Sequence, residues 1–276
     1  MLNIHNLTVA SGSRELVKGI NLEIAPGEWL ALAGESGSGK SLTAASIGGL
    51  LPKELKLSGT ISWNGSTLTS LSPSLRRKTL GKEISYIFQD YQGAFTPFIT
   101  IGKQLDELLR AHTDLERQRR KNMCIDALDN VNLPGGRVYT SYPFQLSGGQ
   151  LQRAAIASAL LLNPGLLIAD EPTTALDSLT AQKVLKYIAK AKERLNLSVL
   201  WITHDLRHVR KFADRVAVMR KGEIVEQGAK DQVLNSPAHA YTSRLLAAIP
   251  PLSPNGPRRL GQLSKNSLQR EEGALL

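Results

Sequence analysis

The sequence predicts an α/β fold built on a parallel sheet, and three features carry that expectation. Trp29-Leu30-Ala31-Leu32-Ala33 is continuously apolar, as expected of a strand buried on both faces. A glycine-rich loop follows it and leads into the helical stretch Ser41 to Leu50. Further on, the short apolar strands Leu166 to Ala169 and Val199 to Thr203 flank a helix over Ala181 to Leu195. That alternation implies a sheet wrapped by helices.

In chain order, the first part reads as β: Leu2 to Val9, then Gly19 to Ile24, a Pro26-Gly27-Glu28 turn and the Trp29 strand. From Ile99 to about Leu162 the pattern is mostly helical, broken by Leu133-Pro134-Gly135-Gly136 and by Tyr142-Pro143. A helical insertion at about residues 90–165 is therefore expected within the α/β core. After Pro250 the chain carries Pro251, Pro254 and Pro257 and then a polar stretch, the composition of a mobile end. No internal repeat is visible, so one unit is expected and not a tandem pair.

Composition narrows the function classes. The chain has 276 residues, of which 42% are hydrophobic and 21% charged, enough for a buried core and too apolar for a disordered chain. The lone cysteine, Cys124, excludes an intrachain disulfide and any four-cysteine metal or iron–sulfur site. No apolar run approaches the roughly 18–20 residues of a membrane span. The stretch Ala154 to Leu162 reads as a buried helix. Met1-Leu2-Asn3-Ile4-His5 lacks an export signal, so a cytoplasmic protein is expected, reaching membranes through partners. The net charge of +10 suits nucleic acid, anionic lipid or phosphorylated ligands. Its clusters Arg76-Arg77-Lys78 and Arg117 to Lys121 read first as solvated helix faces, and no nucleic-acid partner is expected.

Gly34-Glu35-Ser36-Gly37-Ser38-Gly39-Lys40-Ser41 has the phosphate-loop spacing, with strand before and helix after. The glycines let backbone N–H groups converge on phosphates that also face a helix N-terminus. Gly34 to Leu42 are the expected nucleotide contacts, with Lys40 on the β- and γ-phosphates and Ser41 on Mg²⁺. Leu166-Leu167-Ile168-Ala169-Asp170-Glu171 is an apolar strand ending in two carboxylates. Asp170 is expected to hold Mg²⁺, and Glu171 to act as general base on the attacking water.

Ser147-Gly148-Gly149-Gln150 stands directly before a helix over Leu151 to Leu162, a second place where backbone donors meet a helix N-terminus. With one lysine-bearing loop in the chain, this cradle suits a nucleotide held by another subunit; otherwise it is a hinge before a helix.

Leu146 to Gln150 resembles the signature motif of ABC ATPases, and other motifs of that family follow. Gln89 in Ile87-Phe88-Gln89 resembles the glutamine loop that senses metal. Thr174-Ala175-Leu176-Asp177 resembles the D-loop, and His204 in Thr203-His204-Asp205 resembles the switch histidine that contacts the γ-phosphate. His204 with His208 would otherwise suggest a metal pair. The resemblance implies a P-loop ABC ATPase cassette over residues 1–250, with a parallel sheet core, an N-terminal antiparallel β subdomain and a helical signature-motif subdomain. It implies ATP and Mg²⁺ as ligands, and residues 251–276 as a tail. These cassettes usually place an aromatic near position 11 to stack on adenine. Here the chain reads Ala10-Ser11-Gly12-Ser13, leaving Arg14 or an apolar side chain to take that place.

Within the family the chain is similar to the D-type ATPases of the oligopeptide, dipeptide and nickel importers. Ser236-Pro237-Ala238-His239-Ala240-Tyr241-Thr242 resembles that group's His-Pro-Tyr-Thr element, with Ala240 in place of proline. The group implies a second ATPase subunit, identical or paralogous, two transmembrane permease subunits and an extracytoplasmic solute-binding protein. It also implies a peripheral place on the cytoplasmic face of a bacterial membrane. Ala94-Phe95-Thr96-Pro97 looks closer to nickel and metallophore members than to peptide importers, so nickel or a metal chelate is the expected solute, with oligopeptide or dipeptide as the alternative. A soluble ABC ATPase on DNA or ribosomes is the rival from another class. A small-molecule P-loop kinase leaves Leu146 to Gln150 unexplained.

Overall fold

The computed structural model describes residues 1–248 except Ala175 and Asp177. The D-loop reading therefore falls partly, and the tail reading wholly, outside the described residues. Strands β1 (Leu2–Ser11) and β2 (Arg14–Ile24) form an antiparallel pair. Strand β3 (Trp29–Ala33) runs into the glycine loop and helix α1 (Lys40–Gly48). Strands β4 (Leu55–Trp63) and β5 (Ser66–Thr67) complete a four-stranded antiparallel sheet of order β2-β1-β4-β5.

After helix α2 (Pro73–Thr79) comes β6 (Ile84–Ile87). Helices α3 (Ile101–His112), α4 (Arg117–Asp129), α5 (Gly135–Thr140) and α6 (Gly148–Leu160) lie between β6 and β7 (Leu166–Asp170). Then follow α7 (Ser178–Leu195), β8 (Ser198–Thr203), α8 (Leu206–Phe212), β9 (Arg215–Arg220), β10 (Glu223–Ala229), α9 (Lys230–Asn235) and α10 (Ala240–Ala247). The second sheet has six strands in the order β10-β9-β3-β8-β7-β6. All its pairings are parallel except β9 with β10.

Because both faces of this sheet are covered, alternate residues of its central strands feed different cores. Trp29, Ala31, Ala33, Leu167, Ala169, Val199 and Trp201 pack with the helices α3 to α7. Leu30, Leu32, Leu166, Ile168, Leu200 and Ile202 pack with α1 and the antiparallel sheet. Trp29 meets Trp201 edge to face at 5.7 Å, a pair fixed by the parallel register that sets Ala31 beside Trp201. Each fully buried leucine or isoleucine here contributes about 1.5–3 kcal/mol relative to exposure.

The α/β class is as the sequence predicts, with its parallel core and antiparallel N-terminal sheet. Strand β3 has the expected bounds, whereas β2 begins at Arg14 and not Gly19. The sequence predicts no strand at β4, β5, β6, β9 or β10. β10 has no fully buried residue, whereas β4 carries Leu55, Leu57, Ile61 and Trp63 at alternate positions against the core it shares with β1, and β9 sets four buried residues between two arginines. Part of the basic charge is structural. Arg76 donates from Nη2 to the Ser46 and Ile47 carbonyls at 2.7 and 3.2 Å, at the C-terminal end of α1. That contact satisfies carbonyls the helix leaves open and places a cation at its negative end.

Candidate nucleotide site

Four neighbouring strands, β3, β8, β7 and β6, end on the same edge of the parallel sheet. Ligands bind outside such carboxyl ends in open α/β sheets. β3 leads into the glycine loop, β8 into His204, β7 ends in Asp170 and continues to Glu171, and β6 leads to Gln89. Strand order, not chain order, therefore gathers residues up to 170 positions apart. Ser36, Gly37, Gly39, Lys40, Ser41, Leu42, Gln89, Glu171 and His204 line one open cleft of about 930 Å³. Arg14, Glu15, Leu16, Lys18 and Lys221 form its other wall.

The glycine loop is built for close approach. Gly39 caps α1 with φ +108 and no side-chain hydrogen bond, so the first turn keeps backbone donors free for a ligand. Gly37 has φ +76, and a Cβ there would meet nothing within 4 Å, so its side faces open space. A Cβ on Gly34 would lie 2.2 Å from the Met219 carbonyl oxygen, which leaves room for hydrogen alone.

Lys40 is 5% exposed, and its Nζ donates to the carbonyls of Gly34 at 2.9 Å and Glu35 at 2.7 Å. Burial lowers its pKa, and Glu171, Asp170 and Glu35 oppose that fall. A partly desolvated ammonium beneath free backbone donors fits the doubly charged edge of a phosphate chain.

The Ser41 hydroxyl donates to Asp170 Oδ1 at 3.2 Å. Burial raises the Asp170 pKa, against the Ser41 hydrogen bond that lowers it; Glu171 adds to the rise and Lys40 reduces it. Ser41, Asp170 and the amide of Gln89 offer oxygen donors, the set that Mg²⁺ prefers. Glu171 sits at φ 46, a left-handed conformation uncommon for a non-glycine residue and often seen at functional positions. Its Oε2 accepts from the Thr174 hydroxyl at 2.7 Å, and its Oε1 lies 3.3 Å from His204 Nδ1. The Glu171 N–H donates to Ile202 O at 3.0 Å, tying the end of β7 to β8.

Ser147 to Gln150 stand outside this cleft. The Ser147 hydroxyl accepts from Gln150 N at 3.3 Å, and Gln150 Oε1 accepts from Ser147 N at 2.9 Å. That reciprocal cap opens α6 and leaves Gly148 exposed. His208 is buried on α8, its Nδ1 3.2 Å from Asp205 Oδ2. Among the described residues no group of three or more His, Cys, Asp or Glu is placed to hold a metal ion. The buried Gln152 was not anticipated: its Nε2 donates to Pro172 O, joining α6 to the loop after Glu171. A polar residue inside a helical pattern gives no sign of such a distant partner.

The ABC transporter family profile matches residues 17–174, and the ATP-binding protein of a metal-staphylopine import system from Staphylococcus aureus is 42% identical over 250 residues, spanning 90% of this chain and 92% of that one. The chain belongs to the ATP-binding cassettes of the ABC transporter family. It is an ATPase of that family, and its P-loop fold is the family's. A second profile, the C-terminal region of oligopeptide/dipeptide transporters, matches residues 225–274 of the chain. An oligopeptide transport ATP-binding protein of Bacillus subtilis is 38% identical over 94% of this chain and 75% of that one. Among solved structures, a dimeric ATP-binding cassette in a post-hydrolysis state with ADP and Pi aligns with a TM-score of 0.74 and 30% identity, over 83% of this chain and 99% of that one. The expected membership of the oligopeptide, dipeptide and nickel importer group therefore holds.

Proposed function

We propose that this cassette hydrolyses ATP to drive import of a metal chelate through a membrane permease. The observation that carries the reading is the delivery of Lys40, Gln89, Glu171 and His204 to one cleft by four adjacent strand ends, with Asp170 hydrogen-bonded to Ser41 of its lining. In this reading the loop Gly34 to Leu42 binds the phosphates, and Lys40 leaves its two carbonyls for the β- and γ-phosphate oxygens. Ser41, Gln89 and Asp170 hold Mg²⁺, which neutralises phosphate charge when bound. Glu171 takes a proton from the attacking water, and His204 orients Glu171 and meets the γ-phosphate. Ser147 to Gln150 close on a nucleotide held by a second cassette, identical or paralogous.

The cassette is read as a peripheral subunit on the cytoplasmic face of a bacterial membrane. Among the described residues no helix is long and apolar enough to cross one. A groove lined by Leu50, Ile84, Tyr86, Phe88, Phe95 and Ala155 suits the permease, with Phe98 84% exposed nearby in sequence. Two transmembrane permease subunits and an extracytoplasmic binding protein complete the complex. Residues 1–250 make the cassette, with about 90–165 as its helical subdomain.

The metal-staphylopine relative, matched over 92% of its length, supports a metal chelate as solute. The C-terminal profile and the oligopeptide relative support a peptide as the second reading. Uptake by a deletion strain separates them, using labelled nickel with and without a chelator beside a labelled peptide. Loss of metal uptake with peptide uptake intact is expected; the reverse pattern overturns the solute assignment and leaves the ATPase reading standing.

A further inference from the structure

Helix α10 reaches the glycine loop through a single side chain. Tyr241 on α10 is 4% exposed, and its hydroxyl oxygen accepts a hydrogen bond from the Glu35 N–H at 3.1 Å, across 206 positions of sequence. The same peptide unit carries the Gly34 carbonyl, and that oxygen accepts from Lys40 Nζ at 2.9 Å. A peptide unit is planar, so the tyrosine at one edge fixes the direction of the carbonyl at the other. Hydrogen bonds in series also polarise one another, which strengthens the hold on the ammonium.

Tyr241 is itself fixed. The Arg220 guanidinium lies 4.9 Å from its ring centroid. His239 Nδ1 accepts from Tyr241 N at 3.0 Å, while Ala238 N and His239 N donate to the Glu226 carboxylate at 2.8 and 3.1 Å. A chain of contacts thus runs from β10 through the start of α10 to the lysine of the loop. The Met219 carbonyl closes the other side, where a Cβ on Gly34 would not fit.

We infer that Tyr241 is a positioning residue for nucleotide binding: its hydroxyl holds the Gly34–Glu35 peptide so that Lys40 rests one short movement from the phosphates. This rests on the nucleotide reading of Gly34 to Leu42. Binding coupling is reciprocal, so a nucleotide on the loop also steadies α10.

The test compares wild type, Tyr241→Phe and Lys40→Ala in the full chain, with ATP affinity, thermal midpoint and amide hydrogen exchange as readouts. Tyr241→Phe keeps the ring and its contact with Arg220 and removes only the oxygen. The ATP Kd should rise about three- to tenfold, the range for one lost hydrogen bond. Exchange at residues 34–39 should quicken while the thermal midpoint falls by no more than about 4 °C, so that the loosening is confined to the loop. In wild type, ATP should slow exchange at residues 240–247. Unchanged affinity and unchanged exchange at 34–39 in Tyr241→Phe overturn the inference. So does wild-type α10 exchange that ignores ATP, a result that needs no variant. Lys40→Ala separates the two readings: normal ATP affinity there means the loop reading has failed, not the tyrosine.

Discussion

His204 Nδ1 lies 3.3 Å from Glu171 Oε1, although β8 and β7 deliver the two residues from different parts of the chain. The other carboxylate oxygen, Oε2, accepts from Thr174 at 2.7 Å. Both oxygens are therefore placed by neighbours before any substrate arrives, on a residue already held at φ 46. A general base works only when held at hydrogen-bond reach of its proton donor.

Thr174→Val keeps the shape of the side chain and removes one of the two contacts on Glu171. The expected outcome is an ATPase kcat lowered about three- to tenfold with the ATP Kd unchanged. Steady-state hydrolysis beside equilibrium binding measures the split. A Kd change with kcat intact would place Thr174 in binding and not in orientation.

Asp170 holds its proton to a higher pH when folded, because burial disfavours the carboxylate and Glu171 adds to that. The folded state then binds more protons than the unfolded one above the ordinary value of 3.8. This contribution to stability is full below that value and is lost as pH rises through the raised one. Asp170→Asn cannot ionise, so its thermal midpoint at neutral pH without nucleotide should lie above that of wild type. Mg²⁺ with ATP should no longer raise that midpoint. A lower midpoint together with an intact Mg²⁺ response would remove Asp170 from the metal site.

The nucleotide cleft has Arg14, Glu15 and Leu16 on its outer wall, and position 11 is an exposed serine. Aromatic stacking on a base is worth roughly 1–3 kcal/mol in nucleic-acid sites. Without it the phosphate contacts dominate, and GTP should compete with ATP within about tenfold. Competition binding decides the matter; a preference for ATP above about a hundredfold means that another residue reads adenine.

In the single chain, Ser147 to Gln150 lie outside the cleft and cap only their own helix. In the proposed dimer a nucleotide on the second cassette would be their ligand. Glu171→Gln with ATP should double the mass seen by light scattering, alone or with a paralogous cassette, and Ser147→Arg should abolish the increase. Dimer formation indifferent to Ser147→Arg would leave the segment as a helix cap.

The site was legible where local chemistry is enough. The glycine loop, the carboxylates ending an apolar strand and the histidine after β8 each announce themselves within a few residues. What joins them was not legible. The Tyr241 to Glu35 bond spans 206 positions, and Gln152 reaches Pro172 from inside a helix whose pattern gives no hint of it. The fold follows the same division. β3 is apolar on both faces and was read to the residue. β10, at the edge of its sheet, has no fully buried residue, and its pairing with β9 makes it a strand. Periodicity reports burial, and strands held mainly by ladder bonds at a sheet edge carry little of it.

The account turns on Glu171, the carboxylate after Asp170 that Thr174 and His204 hold in place. Glu171→Gln preserves the size of the side chain and removes its basicity, so the decisive measurement is ATP affinity and phosphate release in that variant, in the assembled complex. The expected result is wild-type affinity with turnover lower by about a hundredfold or more. Hydrolysis at the wild-type rate would contradict the assignment of Glu171 as the base and, with it, the proposed organisation of the cleft.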